Sequence, residues 1–324
     1  MIITRTPYRV SMFGGGTDHP KWFSQNGGSV VSFSIDKYSY ITLRELPQFF
    51  PHNFRVAYSK VETTDNAEQI LHPAVREAFI KYASEFKLEL HHHGDLPAQS
   101  GVGSSSAFTV GLIKSLYAIK GKEIDNYRLA EEAINFEQSD LRETVGSQDQ
   151  IACALGGINY IEFNSNSMWE VHNINLDSEY LKDIESRIVL IYSGIPRFSS
   201  DISKGLLDKL ETKSKLMNRT KVLADEFNEL LMTKGDLDLV SEMLKESWLI
   251  KKDLNPFAIT PGLDNFYQSA LLKGARAGKV LGAGGGGFFL FWVDPEDREN
   301  FIQKMSPLVY VPISISFEGS TRIL

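Results

Sequence analysis

The sequence is poor in several features that mark particular classes of protein. It contains one cysteine, Cys153, which has no disulfide partner within the chain and is expected to fill a small core position in the apolar stretch IACALGG. No apolar run approaches membrane-spanning length, and the first residues, MIITRTPYRV, lack the apolar core of a secretory signal. Acidic residues outnumber basic ones, 41 to 34, so a broad basic surface for nucleic acid is not expected. These absences predict a soluble, cytoplasmic protein that binds neither nucleic acid nor membrane.

What the chain does contain is enough apolar sequence for a large core. Its 324 residues are 42% hydrophobic, which suits one large domain or two ordinary ones. In the first half, the spacing of apolar residues predicts short strands, two helices and a third helix that begins near Ser147. The predicted strands are residues 6–13, 28–35, 38–45, 55–58, 88–93 and 157–163, and the first two helices are residues 105–119 and 126–141.

The second half has a different pattern. After a buried strand at residues 187–192, a helical pattern runs for roughly sixty residues from residue 199 onward. It is followed by a helix at 261–273, strands at 279–281 and 288–293, a helix at 295–305 and a strand at 310–317. Without the helical insertion, this order is β-α-β-β-α-β, the split βαβ arrangement. The sequence therefore predicts an α+β protein of two domains, residues 1–180 and 181–324, with the boundary within 165–186.

Three glycine clusters stand at the ends of predicted strands. They are FGGGTDHP at residues 13–20, SGVGSSSAF at 100–108 and GAGGGGFF at 282–289. The second cluster opens a strongly apolar helix, so its backbone N–H groups and the positive end of the helix dipole would point at one spot, which favours a phosphate. Each cluster alone is typical of a tight turn, but the three together indicate a composite phosphate-binding cleft.

Common nucleotide-binding signatures do not account for these clusters. None contains the Gly-Lys-Ser/Thr of a Walker A loop, and the His-Arg-Asp catalytic loop of protein kinases is absent. Gly282, Gly284 and Gly287 match G-x-G-x-x-G, but the aromatic strand FFLFWVD follows where a dinucleotide fold needs a helix. An NAD-dependent oxidoreductase is therefore not predicted.

The segments PYRVSMFGGGTD, LPAQSGVGSSSAF and KVLGAGGGGF resemble the three motifs of the GHMP small-molecule kinases, and the resemblance extends from about residue 4 to residue 317. It implies the two-domain GHMP kinase fold, with an N-terminal ribosomal-protein-S5-like domain and a C-terminal ferredoxin-like split βαβ domain with inserted helices. It also implies that backbone amides of the second motif bind the triphosphate of ATP. The residues that it assigns to ATP are Pro97, Ser100, Gly101, Val102, Gly103, Ser104, Ser105 and Ser106.

Asp149 is the candidate catalytic acid-base residue. In SQDQIACALGG, Ser147 is a natural helix cap and Asp149 falls in the first helical turn, where the dipole favours a carboxylate. An aspartate at this position can also have only a structural role at the start of a helix. Because the rest of this helix is apolar, however, the acidic end should enter the interior, where a carboxylate can orient and deprotonate a hydroxyl. By resemblance, this segment is the catalytic-aspartate segment of the sugar-kinase branch.

Glu137 is the candidate magnesium ligand. It interrupts the apolar face formed by Ala130, Ile134 and Leu141, where an unpaired carboxylate would be costly. A buried salt bridge could explain it. A Mg²⁺ ion held by Glu137, a serine hydroxyl and phosphate oxygens would explain it better. The resemblance places the magnesium-binding glutamate of many relatives here, and we expect Ser104 to be the second protein ligand.

The first and third motifs are expected to hold the acceptor. The resemblance places Arg9 beside the reacting hydroxyl as a second catalytic residue, although an exposed charge at a strand end is the commoner role of arginine. The expected acceptor-binding residues are Gly15, Gly16, Thr17, Asp18, His19, Gln148, Gly284, Gly285 and Arg197.

The forms GGGTD, GSQDQ and GAGGGGF are similar to those of the branch that phosphorylates D-glycero-D-manno-heptose 7-phosphate to the 1,7-bisphosphate. An acceptor that carries its own phosphate needs a basic pocket, for which Arg197, Lys279 and Arg142 are candidates. The partner is thus expected to be a sugar or sugar phosphate, and the chain a monomer or homodimer. The alternatives are an L-fucose, galactose or mannose kinase of the same family, or a non-catalytic sugar- or nucleotide-binding member.

Overall fold

A computed structural model describes residues 1–166, 168–195 and 213–324 of the chain, which form two sheets with helices packed against them. The N-terminal elements, in chain order, are β1 (Ile2–Phe13), α1 (Pro20–Asn26), β2 (Gly28–Glu45), β3 (Phe54–Ala57), β4 (Val61–Thr64), α2 (Pro73–Ala83), β5 (Leu88–Gly94), α3 (Ser104–Ile119), α4 (Asn126–Asn135), α5 (Gln148–Leu155), β6 (Ile158–Phe163) and β7 (Trp169–Asn173). They are followed by α6 (Ser178–Arg187), β8 (Ile188–Tyr192), α7 (Ser214–Thr233), α8 (Leu239–Leu254), α9 (Pro261–Lys273), β9 (Ala275–Val280), β10 (Phe288–Val293), α10 (Arg298–Met305), β11 (Val309–Val311) and β12 (Thr321–Arg322).

The first sheet is organised around the long strand β2. One edge of β2 pairs along its length with β1, while the other pairs first with β6 and then with β5. The apolar helix α3 packs across β1 and β2, and its buried side chains, among them Val110 and Leu116, fill the core. Helix α5 packs on the same two strands, and the Ser34 hydroxyl donates to the carbonyl of Ala152 over 2.9 Å. The sheet therefore brings the starts of α3 and α5 near the end of β1.

The second sheet has the strand order β11-β8-β10-β9 and is antiparallel throughout. In chain order this is 4-1-3-2, the arrangement of a ferredoxin-like split βαβ unit, so the fold class expected from the sequence is confirmed. Strand β10 is buried along its whole length, as its aromatic sequence FFLFWV requires. Helices α8 and α9 pack against β9.

The last residues return to the first sheet. Strand β12 pairs with β1, and Ile315 forms an isolated bridge with Ile35 of β2. The strand expected at residues 310–317 is therefore wrong in extent, because the ladder with β8 ends at Val311. Pro312 follows and has no N–H to continue that ladder. The expected second domain, 181–324, thus ends with residues that complete the first sheet.

Among the other differences from the sequence-based prediction, two concern β2 and α4. Residues 28–35 and 38–45 form one strand instead of two, with a bulge in the β1–β2 register opposite the expected break. The predicted helix 126–141 is regular only to Asn135 and continues as a wider π turn, Phe136–Asp140, which carries Glu137. Such turns are frequent at functional sites. No helix within the described ranges is both long and apolar enough to span a bilayer.

Candidate active site

The second glycine cluster packs between β1, which leads into the first cluster, and the third cluster. The carbonyl of Val102 accepts a hydrogen bond from the amide of Arg9 on β1 over 3.0 Å. On the other side, the carbonyl of Ser100 accepts one from the amide of Phe288, at the start of β10, also over 3.0 Å. A side chain at Gly101 would collide with the carbonyl of Leu281, since an added Cβ would lie 2.5 Å from that oxygen. These contacts join the second cluster to β1 and to the third cluster.

The second loop has the backbone form that its glycines predict. Gly101 and Gly103 have φ values of +92° and +71°, in the left-handed region that favours glycine, and Gly103 caps α3. The first N–H groups of this sixteen-residue helix follow directly. Ser100 is buried and its hydroxyl donates to the carbonyl of Pro97 over 2.6 Å, which closes the loop. Ser105 is exposed at the start of the helix, where its side chain is accessible to a ligand.

Arg9 and Asp149 form a two-pronged ion pair. The guanidinium donates from Nε and Nη2 to the two carboxylate oxygens over 2.8 and 2.7 Å, and from Nη1 to the carbonyl of Gly101 over 2.6 Å. The Arg9 side chain is 5% exposed, while that of Asp149 is 27% exposed. The arginine is thus fixed behind the carboxylate, and Asp149 presents its open side. A carboxylate has about four lone-pair positions, so two remain for an incoming hydroxyl.

Asp18 links the first loop to the start of α5. Its carboxylate accepts hydrogen bonds from the amides of Gly16, over 2.8 Å, and Gln148, over 3.2 Å. Its carbonyl accepts one from the amide of Ser147 over 3.0 Å. Burial, and then the negative charge of Asp149, raise the pKa of Asp18. The Asp18 carboxylate, expected to bind the acceptor, accepts its hydrogen bonds from backbone amides among the described residues.

Other residues of the first loop have separate roles. Thr17 is fully buried, and its hydroxyl donates to the carbonyls of Gly14 and Ser29, so it holds the turn and does not offer a free hydroxyl. His19 has no hydrogen-bond partner for either ring nitrogen within the described part of the chain. Burial lowers the pKa of His19 to about 4, so the ring is neutral at physiological pH. Gly15 is exposed and borders Gln148.

Glu137 is buried beside the start of α3. Its Oε2 accepts hydrogen bonds from Ser106 Oγ over 3.1 Å and from Gln150 Nε2 over 2.5 Å. Its Oε1 has no hydrogen-bond partner among the described residues. The hydroxyl of Thr109 is nevertheless near enough to the carboxylate to lower the pKa of Glu137. Burial outweighs these donors and raises the pKa of Glu137 to about 7. The serine beside Glu137 is Ser106, whereas the expected ligand Ser104 accepts a hydrogen bond from the amide of Gln99 over 3.1 Å.

The third loop supports the other two. Gly284 and Gly285 both face Ala258, whose carbonyl accepts a hydrogen bond from the amide of Gly285 over 2.8 Å. Lys279 reaches the first motif instead, since its ammonium donates to the carbonyl of Met12 over 2.7 Å. Arg142 is exposed, and Arg197 lies outside the described residues. Lys279 is thus a basic candidate that contacts the first motif.

Sequence reasoning missed two residues that support the loops. Gln150 donates to Glu137 and is fully buried, and an amide on an otherwise apolar helix was the available signal. Lys251, on α8, donates to the carbonyl of Gly282 over 2.5 Å and so fixes the start of the third loop. Nothing in the sequence marks this lysine, because its contact joins residues 31 positions apart.

The comparisons with known proteins agree with this arrangement. The sequence matches the family described as GHMP kinases N terminal domain over residues 69–157 and GHMP kinases C terminal over residues 226–310. It is 31% identical over 317 residues to the D-glycero-alpha-D-manno-heptose 7-phosphate kinase of Campylobacter jejuni, covering 94% of this chain and 93% of that protein. It is 23% identical to a galactokinase of Pyrococcus furiosus, covering 91% of this chain and 90% of that protein.

A solved structure supports the fold. The crystal structure of a D-glycero-D-manno-heptose 1-phosphate kinase from Bacteroides thetaiotaomicron superposes with a TM-score of 0.82 at 24% identity, covering 100% of this chain and 99% of that one. At this identity the likeness concerns the fold alone. The family assignment comes from the sequence matches, which extend over most of the chain. The chain therefore belongs to the GHMP kinase family.

Proposed function

We propose that this chain transfers the terminal phosphoryl group of ATP to a hydroxyl of D-glycero-D-manno-heptose 7-phosphate and forms the 1,7-bisphosphate. As a member of its family the protein is a sugar kinase. The heptose assignment is supported by the relative in Campylobacter jejuni, which is named for that substrate and aligns over 94% of this chain. The observation that carries the reaction type is the Arg9–Asp149 pair, held against the carbonyl of Gly101 in the second loop.

In the proposed reaction, Asp149 orients the acceptor hydroxyl and takes its proton. As the hydroxyl oxygen bonds to the terminal phosphorus, the bond from that phosphorus to the bridging oxygen of ADP breaks, and the proton passes to a carboxylate oxygen of Asp149. Arg9 holds the carboxylate in position through two hydrogen bonds, and its positive charge lies beside the site where charge is transferred. A non-catalytic binder would have no need of a carboxylate base at this place.

The second loop fits a triphosphate. Its left-handed glycines leave the backbone bare, and the helix dipole of α3 favours anions at the amides of residues 104–106. At Gly103, an added Cβ would lie 3.0 Å from Cγ of Arg9, so a side chain there would press on the catalytic arginine.

The residues near Glu137 fit a magnesium ion. Oε1 of Glu137 is a buried carboxylate oxygen without a hydrogen-bond partner in the described part of the chain, and the hydroxyl of Ser106 lies next to the same carboxylate. The described residues contain no cluster of three or more His, Cys, Asp or Glu that could hold a metal. A site with one carboxylate, a hydroxyl and substrate phosphates is the usual arrangement for Mg²⁺ in kinases. Glu137 and Ser106, with Ser104 as the alternative hydroxyl, would hold the ion, which supplies charge neutralisation of the phosphates when bound.

The experiment is an ADP-release assay with purified protein across a panel of acceptors. The panel contains D-glycero-D-manno-heptose 7-phosphate, L-fucose, galactose and mannose at equal concentration. We expect the highest kcat/KM with the heptose phosphate, and NMR of the product to show a second phosphate on the anomeric carbon. Preferred turnover of a sugar without phosphate would replace the proposed substrate. If none of the four sugars leads to ADP release, the proposed function itself is contradicted.

A further inference from the structure

A lysine that has no counter-ion among the described residues lies between the two sheets, next to the catalytic arginine. Lys279 is on β9 and is 8% exposed. Its ammonium donates one hydrogen bond, to the carbonyl of Met12 on β1, and lies 5.9 Å from the ring centroid of Phe13. Within the described residues, no carboxylate forms an ion pair with it. An ammonium has three N–H donors, so its hydrogen bonding and its charge are both incompletely satisfied.

The electrostatic environment makes this charge costly. Burial first, and the neighbouring positive charge of Arg9 second, lower the pKa of Lys279 to about 7. Arg9 is the titratable group that faces Lys279, and β1 otherwise contributes the Met12 carbonyl and the Phe13 ring. Arg9 has Asp149 as its counter-ion, whereas no carboxylate among the described residues forms an ion pair with Lys279. A buried cation that is left uncompensated destabilises a fold by several kcal/mol.

A structural link between the sheets does not require a charge. A neutral amide at position 279 could donate to the Met12 carbonyl at a lower desolvation cost. The place of the lysine suggests what the charge is for. Two residues further along the chain, the carbonyl of Leu281 packs against Gly101 of the second loop. Lys279 therefore lies two residues before the point where the second loop packs against the start of the third.

We propose that Lys279 is a positioning residue that supplies positive charge behind Arg9 for a substrate phosphate, and that it fixes the first glycine turn through the Met12 carbonyl. This inference rests on the proposed function. The ligand chemistry is a phosphate dianion, which comes either from the end of the ATP triphosphate or from the phosphate that the acceptor already carries. In either case the ligand brings the negative charge that the described residues do not provide.

The test compares Lys279→Arg, which keeps a permanent charge, with Lys279→Met, which removes it. In one arm, the dissociation constant of the magnesium complex of AMPPNP is measured by calorimetry from pH 6 to pH 9. In the other arm, kcat/KM for the phosphorylated acceptor is measured over the same range at saturating ATP. In the wild type we expect either the affinity for AMPPNP or kcat/KM for the acceptor to fall as the pH rises above about 7. The reason is that Lys279 of the enzyme without ligand then loses its charge.

In Lys279→Arg the alkaline weakening should disappear. In Lys279→Met the quantity that weakens in the wild type should be about tenfold or more lower than the wild-type value at pH 6.5. It should also no longer fall as the pH rises above about 7. A change in the calorimetric arm assigns the charge to the nucleotide. A change confined to the kinetic arm assigns it to the acceptor phosphate.

Lys114→Met is the matched control. Lys114 is another lysine whose pKa burial lowers, and it donates to Asn126 at a different place on the first domain. We expect this variant to keep the wild-type profiles in both arms. If Lys279→Met leaves both arms unchanged, or if the alkaline weakening persists in Lys279→Arg, the inference is overturned.

The inference can fail separately from the proposed function. If the wild type does not use the heptose phosphate, the kinetic arm is run with the sugar that it does phosphorylate, and the calorimetric arm needs no acceptor. If neither variant folds, as judged by thermal unfolding, the wild-type profiles decide the matter. Absence of an alkaline weakening in both of those profiles overturns the inference.

Discussion

Asp149 and Glu137 are two carboxylates of the same cleft in opposite environments. Asp149 is 27% exposed along its side chain and accepts two of the three hydrogen bonds that the Arg9 guanidinium donates. Glu137 is 1% exposed, has only neutral donors, and its pKa is raised to about 7 by burial. The first carboxylate has a permanent partner and an open side, whereas the second has an unpartnered oxygen and no counter-ion among the described residues. The difference suggests that one carboxylate is completed by the acceptor and the other by a metal.

The largest expected effect is on turnover at the paired carboxylate. We expect Asp149→Asn to fold with reduced stability, because the buried Arg9 loses its counter-ion, and to bind ATP through loop amides that the substitution leaves unchanged. Its kcat should fall by about a hundredfold to ten-thousandfold through loss of the base. Steady-state kinetics and calorimetry with AMPPNP measure the two properties. Glu179→Gln is the matched control, since Glu179 is also a first-turn acid, on α6. Unchanged turnover in folded Asp149→Asn would remove this residue from the mechanism.

The next effect concerns the metal at the unpartnered carboxylate. We expect Glu137→Ala to raise the Mg²⁺ concentration for half-maximal rate by about tenfold or more, because a charged ligand is lost. The measurement is a Mg²⁺ titration at fixed free ATP. The same titration on Glu179→Gln should match the wild type. If Glu137→Ala and the wild type have the same rate at limiting Mg²⁺, Glu137 has a structural role instead.

The same carboxylate should make the empty protein less stable at alkaline pH. The pKa of Glu137 is 4.5 without the fold and about 7 within it, so the folded state holds its proton over this interval while the unfolded state releases it. The free energy of unfolding should therefore fall as the pH rises from 4.5 to 7, by on the order of 3 kcal/mol from this group.

Glu137→Gln checks this dependence, because it removes the titrating group and keeps the shape. In urea unfolding without nucleotide or Mg²⁺, the variant should match the wild type near pH 5 and exceed its stability at pH 8. An equal stability difference at the two pH values would show that the carboxylate is not responsible.

The smallest expected effect separates the serines at the start of α3. Ser106 donates to Glu137, while Ser104 accepts from the amide of Gln99. Loss of one such hydrogen bond is worth about 1 kcal/mol, so Ser106→Ala should shift the Mg²⁺ requirement by about fivefold. Ser104→Ala should leave that requirement unchanged. The reverse result would identify Ser104 as the ligand, as the sequence resemblance predicts.

Local signals predicted most of the elements that build the cleft. Helix α3 starts at Ser104, one residue before the predicted position, because the glycine loop and the apolar spacing mark the same point. The split βαβ order of the second sheet also followed from the pattern of apolar runs. In both cases the information lies within a few residues of chain.

Contacts between distant residues were out of reach. Ser106, and not Ser104, is beside Glu137 because the rotation of α3 puts position 106 on its buried side, and this rotation depends on packing against the first sheet. The hydrogen bond from Lys279 to Met12 joins residues 267 positions apart. Sequence spacing identified the basic residue but not the strand that it reaches.

The three-way grip of Arg9 has a thermodynamic consequence. One guanidinium donates to both the carbonyl of Gly101 and the carboxylate of Asp149, so the proposed nucleotide loop and the proposed acceptor site are joined through one side chain. Any shift of the loop on nucleotide binding must be transmitted to the carboxylate, and linkage then requires each substrate to change the affinity for the other by the same factor. The two binding steps of this kinase are thereby expected to be cooperative, with the sign set by whether the loop moves toward the acceptor or away from it.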